Sequence, residues 1–441
     1  MNNFKVICKE LHSFLILWST QSFSLLGSSM TSFALILWTY QSKGSALTTA
    51  LLSVCSYAPY VVMSIFAGAL SDKWNKKLTM LASDSFAAVC TIGVLLLLKA
   101  GRLEIWHLYC LNALSGLMGT VQQPAGDVAV SLLVPEKHYQ RVSGLRSFSN
   151  SLVNILTPAA ATTLYTVFGL DAVIYFDLTT FVCAFAALAL WVRIPERREG
   201  ADLEKTLTSG DRPDGEPLIA AAKAGLSYLW ENRGILHLIL FLAAINLTAS
   251  MYNAAFPAML LSRDGGGETA LAAVNTATGL AMVAGSIAAS LLPAPKSRIR
   301  VICNTLLLSM STENFILAFG SSAPVWCLGG VLGWIWIPIM SANMDVVLRT
   351  HIPVHMQGRV YSARNTLQFF TIPVGYLLGG MLVDQVFEPF MAGQSPSGLL
   401  CSLFGSGKGS GAALFFLVFG VLGVATCVVF RRDRHIWKLE E

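Results

Sequence analysis

The chain has 441 residues, 54% of them hydrophobic and 12% charged, with a mean hydropathy of +0.61. Soluble domains carry about 25% charged residues, so a water-soluble enzyme or a soluble nucleic-acid-binding protein is excluded. The formal net charge of +5 follows membrane topology, as shown next, and is not a nucleic-acid footprint.

Apolar runs of about 20 residues, the length that crosses roughly 30 Å of hydrocarbon, begin near Phe14, Leu47, Leu78, Ile105, Leu145, Ala172, Gly234, Leu271, Ile299, Pro324, Leu367 and Ala412. They predict twelve membrane spans. With the N-terminus inside, 25 of the 30 Lys and Arg residues fall in cytoplasmic segments, and only Lys43, Lys99, Arg102, Arg263 and Lys408 lie outside. Short cytoplasmic loops retain basic residues, and a missed span would have scrambled this alternation. Both termini are therefore expected in the cytoplasm, in a cell inner membrane. The apolar run that follows Lys5 and Lys9 continues to about Tyr40 without a small-residue cleavage site, so it reads as a retained first span. The nine cysteines include no CxxC pair, and those in apolar runs, such as Cys55, Cys90, Cys183 and Cys303, read as packing residues.

Asp127, Val128, Pro135, Arg141, Val142 and Arg146 recur as Asp345, Val346, Pro353, Arg359, Val360 and Arg364, each 218 residues later. Self-similarity at half the chain length, in so apolar a sequence, marks a carrier built from two parallel six-helix halves. A stretch rich in charge, Gly and Pro from Arg193 to Arg233 reads as the linker after the sixth span. The expected organisation is an N-terminal half over 1–194, a cytoplasmic linker over 195–233 and a C-terminal half over 234–441. The fold class is an all-α membrane protein of twelve transmembrane helices in two pseudo-symmetric halves. A second polar stretch, Gly393 to Gly411, lies outside and is too Gly/Ser-rich to fold alone. Its Gly405, Gly407, Lys408 and Gly409 superficially resemble a phosphate loop, but Ser402 and Gly409 stand where that loop needs Gly and Ser or Thr. No nucleotide site is expected, and no cofactor.

The first inner loop carries Gly68, Asp72, Lys73, Lys76 and Lys77 in the pattern G-x-x-x-D-K-x-x-K-K. This resembles the conformational-switch signature of major facilitator transporters, a family whose twelve-helix fold would cover the whole chain. Gly68 would allow a close helix approach, and Asp72 would cap or pair with the partner helix. Asn75 stands where the family has Gly, and Asn is the next residue able to take a left-handed turn. The stretch Pro353, Gln357 to Ser362, then Pro373, Gly375, Gly379, Gly380 and the run Val386 to Met391 narrow the resemblance to the macrolide-efflux and enterobactin-exporter branch. That resemblance implies export of amphipathic small molecules: drugs, macrolides, siderophores or peptide-derived natural products. The second-half loop is only a basic remnant, Lys296, Arg298 and Arg300.

Asp127 and Asp345 are expected near the inner C-terminal ends of spans four and ten, and Arg146 and Arg364 at the starts of spans five and eleven. Each charge opposes its helix dipole, a cost of about 0.3–1 kcal/mol unless paired. With Arg141 and Arg359 they are candidates for a cytoplasmic gate. Asp84 in span three, Glu313 in span nine and Asp177 in span six are intramembrane acids, functional candidates because such charges are costly; they are the candidates for proton coupling. The family's drug–proton antiporters often carry Arg where Asn112 falls, and their helix-five motif is reduced here to Thr157, Pro158 and Ala161. Proton coupling is therefore implied by the resemblance alone.

Near midplane depth, Gln21, Ser24, Ser28 and Thr31, then Asn246, Ser250 and Asn253, with Trp334 and Trp336, offer the mixture of amides, hydroxyls and aromatic faces that suits an amphipathic ligand. His351 and His355 have helical metal spacing, but Pro353 between them argues against a metal site. No nucleophile–base–acid constellation is evident, so the chain is not expected to be an enzyme. The expected partners are a small-molecule substrate and the bilayer, with no nucleic acid, the protein being a monomer. Two rival readings are a lysophospholipid flippase of the same fold and a non-transporting receptor or scaffold.

Overall fold

The computed structural model describes residues 10–440 apart from 74, 136–137, 193, 195–217, 354–359, 361–362 and 365. All regular structure among the described residues is helical. The helices are α1 His12–Lys43, α2 Ala46–Lys73, α3 Lys76–Lys99, α4 Ile105–Leu133, α5 Tyr139–Phe168, α6 Leu170–Leu190, a short α7 Leu218–Glu231, α8 Arg233–Ser262, α9 Glu268–Leu291 and α10 Arg298–Phe319. Then follow α11 Ala323–Trp334, α12 Ile337–His351, α13 Thr371–Leu382, a π turn Val383–Phe387, α14 Glu388–Ala392, α15 Leu399–Phe404, α16 Ser410–Arg431 and α17 Arg434–Trp437. Among the described residues, 11 helical stretches are long and apolar enough to cross a membrane. The 29-residue α4 takes the place of the remaining expected span.

The chain divides into two units, one of residues 1–44 with 51–197, the other of 45–50 with 198–441. In the first, α1 packs on α5 and α6, and α3 on α4 and α6. In the second, α8 packs on α13 and α16, and α10 on α11, α12 and α16. Numbered as spans, the same pairs recur in each unit: first with fifth and sixth, third with fourth and sixth. Small residues repeat the theme. A Cβ on Gly116 of α4 would lie 2.1 Å from the Ser56 carbonyl oxygen of α2, and one on Gly285 of α9 would lie 2.1 Å from that of Ile335, between α11 and α12. Backbones this close require glycine. Leu96, Val182 and Val429 point outward from their helices at 63%, 59% and 65% exposure, as side chains that face lipid do.

Local chemistry places the helix starts. Asn75 caps α3 by accepting from the Leu78 amide at 3.1 Å, and Ser297 caps α10 by accepting from the Arg300 amide at 3.1 Å. Asn75 is extended, φ −61°, and no non-glycine residue among those described has positive φ, so the left-handed turn expected of it is not made. Capping replaces it, because an Asn side chain satisfies an orphan amide of the first helical turn. Lys77 Nζ then donates to the carbonyls of Ala189 at 3.0 Å and Val192 at 2.8 Å, a cation at the C-terminal end of α6 where the dipole favours it.

The tenth expected span is two helices: α11 ends at Trp334 and α12 begins at Ile337, with Pro338 in its first turn. Proline lacks the amide that would continue the ladder. The Gly/Ser-rich stretch after α14 is also more ordered than its composition implied. It contains α15, whose Phe404 is buried at 1% exposure and stacks on Phe319 at 5.5 Å; two well-placed apolar residues, Cys401 and Phe404, anchor it.

Arg263, at the C-terminal end of α8, ties three elements together. Nη1 donates to the carbonyls of Leu317 and Ala318, both at 3.2 Å, and Nη2 to that of Phe404 at 3.1 Å. Arg263→Leu leaves these acceptors unserved, at about 1–3 kcal/mol for a buried group. A lower unfolding temperature of the detergent-solubilised protein is expected; an unchanged one would show that water replaces the guanidinium without loss.

Candidate functional site

Each unit carries a carboxyl on its third long helix, half-buried in the first and buried in the second. In the first unit, Asp84 of α3 accepts from Gln21 Nε2 of α1 at 3.1 Å and from Gln122 Nε2 of α4. In the second, Glu313 of α10, 4% exposed, accepts from Trp334 Nε1 of α11 at 2.7 Å, and the Tyr252 phenol of α8 lies near it. The helices involved are the first, third and fourth of each unit. The depths differ. Asp84 lies about 12 Å from the N-terminal end of α3, whereas Glu313 lies about 9 Å from the C-terminal end of α10 at 1.5 Å per residue. The two are therefore not copies of one ancestral acid: the same three-helix junction carries a carboxyl at a different level in each unit.

Glycine makes room for Glu313. A Cβ on Gly333 would lie 2.5 Å from Glu313 Oε2 and 2.6 Å from its Cβ, and one on Gly329 would lie 3.0 Å from Ile316 Cγ2. Thus α11 lies directly against α10, and the carboxyl is enclosed by backbone on one side and aromatic rings on the other.

Asp177 is 5% exposed. It accepts from Ser28 Oγ at 2.9 Å, and Gly27 brings α1 against it, since a Cβ there would lie 2.9 Å from Asp177 Cα. Of the substrate-cavity candidates, Gln21, Ser28 and Trp334 thus hold carboxylates. Ser24, Asn246, Asn253 and Trp336 are half-buried, and Ser250 is buried at 5%, with its Cβ where Gly375 of α13 permits close approach.

Of the gate candidates, Asp345 is exposed on α12, Arg146 is exposed on α5, and Arg364 donates from Nε to Gln368 Oε1 at 2.9 Å. The side chains of Asp127, Arg141, Gly68, Asp72 and Lys73, and the whole of Arg359 and His355, lie outside the described residues.

Sequence reading missed Gln122 and Tyr252, polar residues inside apolar spans, and two further acids, Asp384 and Glu388. Asp384 lies in the π turn and Glu388, four residues on, opens α14. Asp384 accepts from Ser45 Oγ at 2.5 Å and from the amides of Ala46 at 3.0 Å and Leu47 at 2.9 Å. Glu388 accepts from the amides of Gly409 at 3.0 Å and Ala412 at 3.1 Å. The glycine loop that superficially resembled a phosphate cradle is therefore filled by a carboxylate of the chain itself, as anion-seeking amides at a helix start require.

An all-helical, span-rich chain in two units with one internal packing scheme, each with a carboxyl inside it, has the architecture of a secondary membrane transporter. A profile of the Major Facilitator Superfamily matches residues 17–376, and the chain belongs to that family. It is 24% identical over 390 residues to Macrolide efflux protein A of Streptococcus pyogenes, covering 87% of this chain and 91% of that protein. It is also 24% identical over 355 residues to the multidrug efflux pump Tap of Mycolicibacterium fortuitum, covering 78% and 82%. Among solved structures it resembles the nucleoside transporter NupG, with a TM-score of 0.66 at 14% identity over 94% of this chain and 98% of that one. A bacterial homologue of the human lysosomal transporter Spinster gives a TM-score of 0.64 at 14% identity, over 98% of both chains. At that identity the structures speak for the fold alone.

Proposed function

We propose that the protein is a secondary active exporter of amphipathic small molecules, such as a drug, macrolide, siderophore or peptide-derived natural product. It works by alternating access, as a proton antiporter of the inner membrane with both termini cytoplasmic. The observation that carries this reading is the enclosed Glu313, held by Trp334 with the Tyr252 phenol nearby. A carboxyl deep in a span is costly when charged, and one furnished with an indole donor and a phenol can hold charge in one state and a proton in another. Asp84, between two glutamines, is the second coupling group, and Asp177 the third. The efflux proteins to which the chain is similar support export as the direction. Gln21, Ser24, Ser28, Asn246, Asn253, Trp334 and Trp336 contribute to the cargo cavity.

The switch loop, Gly68, Asp72, Lys73, Lys76 and Lys77, and the repeated charges, Asp127, Arg141, Arg146, Asp345, Arg359 and Arg364, act at the cytoplasmic ends of the spans. Asp127→Asn and Asp345→Asn are each expected to cut transport several-fold while membrane insertion, read by fractionation, stays normal. Normal transport by both variants would remove the gate assignment.

Cells expressing the protein should accumulate less ethidium than control cells, and a protonophore should abolish the difference. Equal accumulation across ethidium, erythromycin and other amphipathic probes would overturn the reading. Leaflet-to-leaflet movement of a labelled lysophospholipid without any drug efflux would instead identify a flippase.

A further inference from the structure

The last stretch of the chain is folded, and its charges are sorted by sign. The 22-residue α16 is about 33 Å long at 1.5 Å per residue, close to the roughly 30 Å of hydrocarbon in a bilayer. Its Val418, Leu422, Ala425 and Val429 are exposed, spaced as one stripe of a helix. Arg432, the C-cap, keeps right-handed helical backbone at φ −91° and ψ −3° and continues that stripe one turn beyond Val429. Its guanidinium therefore stands where acyl chains give way to headgroups.

The segment that follows turns back on the second unit, to which all of it belongs. Asp433 caps α17 by accepting from the His435 amide at 2.8 Å, and it is hydrogen-bonded to His237 Nδ1 of α8 at 2.6 Å. Ile436 is fully buried. Gly234 lets the start of α8 close on the segment, since a Cβ there would lie 2.7 Å from the His435 carbonyl oxygen. Glu440 accepts from Ser297 Oγ and from the Ile299 amide, both at 2.6 Å, at the start of α10. Both acids of the described segment are thus bonded inward. The bases face out: Arg431, Arg432, Arg434 and Lys438 are exposed, as are Lys296 and Arg300 on either side of Ser297. Trp437 lies among them, half-buried, with Nε1 donating to the Arg431 carbonyl at 2.7 Å; tryptophan is favoured at the membrane–water interface.

We propose that this surface binds the phosphodiester headgroups of anionic phospholipids in the leaflet where α16 ends. Retention of basic residues on one side of the membrane accounts for their number. It does not account for a fold that ties Asp433 and Glu440 into internal bonds and leaves six cations exposed. Clusters of roughly four to eight Lys and Arg directly beyond a span meet anionic lipid in this way, and guanidinium forks match phosphate oxygens. The stripe decides the occupant. Because Arg432 continues the lipid-facing side of α16, the phosphate beside it is that of a lipid, not one free in the aqueous phase.

The test uses the full chain in detergent and phosphatidylglycerol carrying an acyl-chain fluorophore that accepts energy from tryptophan, with identically labelled phosphatidylcholine for comparison. The unsubstituted protein should bind the phosphatidylglycerol at least about tenfold more tightly, and the preference should fade as salt rises. Each basic residue near an anionic surface contributes about fivefold. Arg432→Gln combined with Arg434→Gln should therefore weaken phosphatidylglycerol binding about tenfold or more and leave phosphatidylcholine binding unmoved. Lys296→Gln combined with Arg300→Gln should do the same from the other edge of the patch, with the C-terminal segment untouched. Lys99→Gln combined with Arg102→Gln removes equal charge from exposed positions after α3 and should change nothing. Equal binding of the two lipids by the unsubstituted protein, undiminished binding in both patch variants, or equal losses in all three variants would overturn the site. Displacement of the labelled lipid by inorganic phosphate as readily as by unlabelled phosphatidylglycerol would overturn the lipid assignment. No cargo or gradient enters the measurement, so its outcome is independent of the exporter reading.

Discussion

Glu313→Gln is expected to reduce ethidium efflux to the level of cells that lack the protein, while the variant reaches the membrane in normal amount. Gln is nearly isosteric with Glu, and its carbonyl oxygen can still accept from Trp334 Nε1, which lies 2.7 Å from the native carboxyl. The replacement therefore keeps the packing of α10 on α11 and removes only the group that can gain and lose a proton. Glu313→Asp keeps the proton but withdraws the carboxyl by one methylene from Trp334, so partial activity is expected. Full activity of Glu313→Gln, measured as uncoupler-sensitive efflux, would show that coupling resides elsewhere, with Asp84 next in line.

Gly333→Ala is expected to destabilise the protein and to impair efflux together. Its new methyl group would stand 2.5 Å from Glu313 Oε2 and 2.6 Å from Glu313 Cβ, so α11 must lift or the carboxyl must turn away from Trp334. Overpacking of this kind costs about 1–3 kcal/mol. Gly93→Ala in α3 is the matched control, because nothing lies within 4 Å of the added atom, and Ala exceeds Gly in helix propensity by up to about 1 kcal/mol. Thermal unfolding in detergent should place Gly333→Ala below and Gly93→Ala at or above the unsubstituted protein. Equal unfolding temperatures for both variants would mean that α11 does not rest on Glu313 as described.

Much of the architecture was legible because membrane insertion imposes simple rules. Span length and the skewed placement of Lys and Arg set the helices in order, and the 218-residue echo from Asp127 to Asp345 announced the duplication that the shared packing scheme repeats. The acids Asp84, Asp177 and Glu313 stood out because charge inside a span demands a reason. Their partners did not. Gln122 lies 38 residues from Asp84 and Tyr252 lies 61 from Glu313, and nothing local tells which face of a uniformly apolar helix each occupies. Gln21 and Trp334 read as cargo contacts for the same reason: polarity at midplane depth is visible in sequence, its direction is not. Asp384 and Glu388 escaped notice because a π turn, invisible to a 3.6-residue periodicity, brings their carboxylates to two different helix starts. Asn75 misled in the opposite way. Its tolerance of left-handed backbone suggested a turn, whereas the unpaired amide of Leu78 made it a cap.

The central claim, that a proton carried by Glu313 is exchanged for an amphipathic cargo, is tested most directly in proteoliposomes enclosing a pH-sensitive dye. With the purified protein and an imposed pH gradient, addition of ethidium should trigger proton movement opposite to the movement of the dye cation, and Glu313→Gln should abolish both. Ethidium movement without proton counterflow, or counterflow undiminished in Glu313→Gln, would contradict the account.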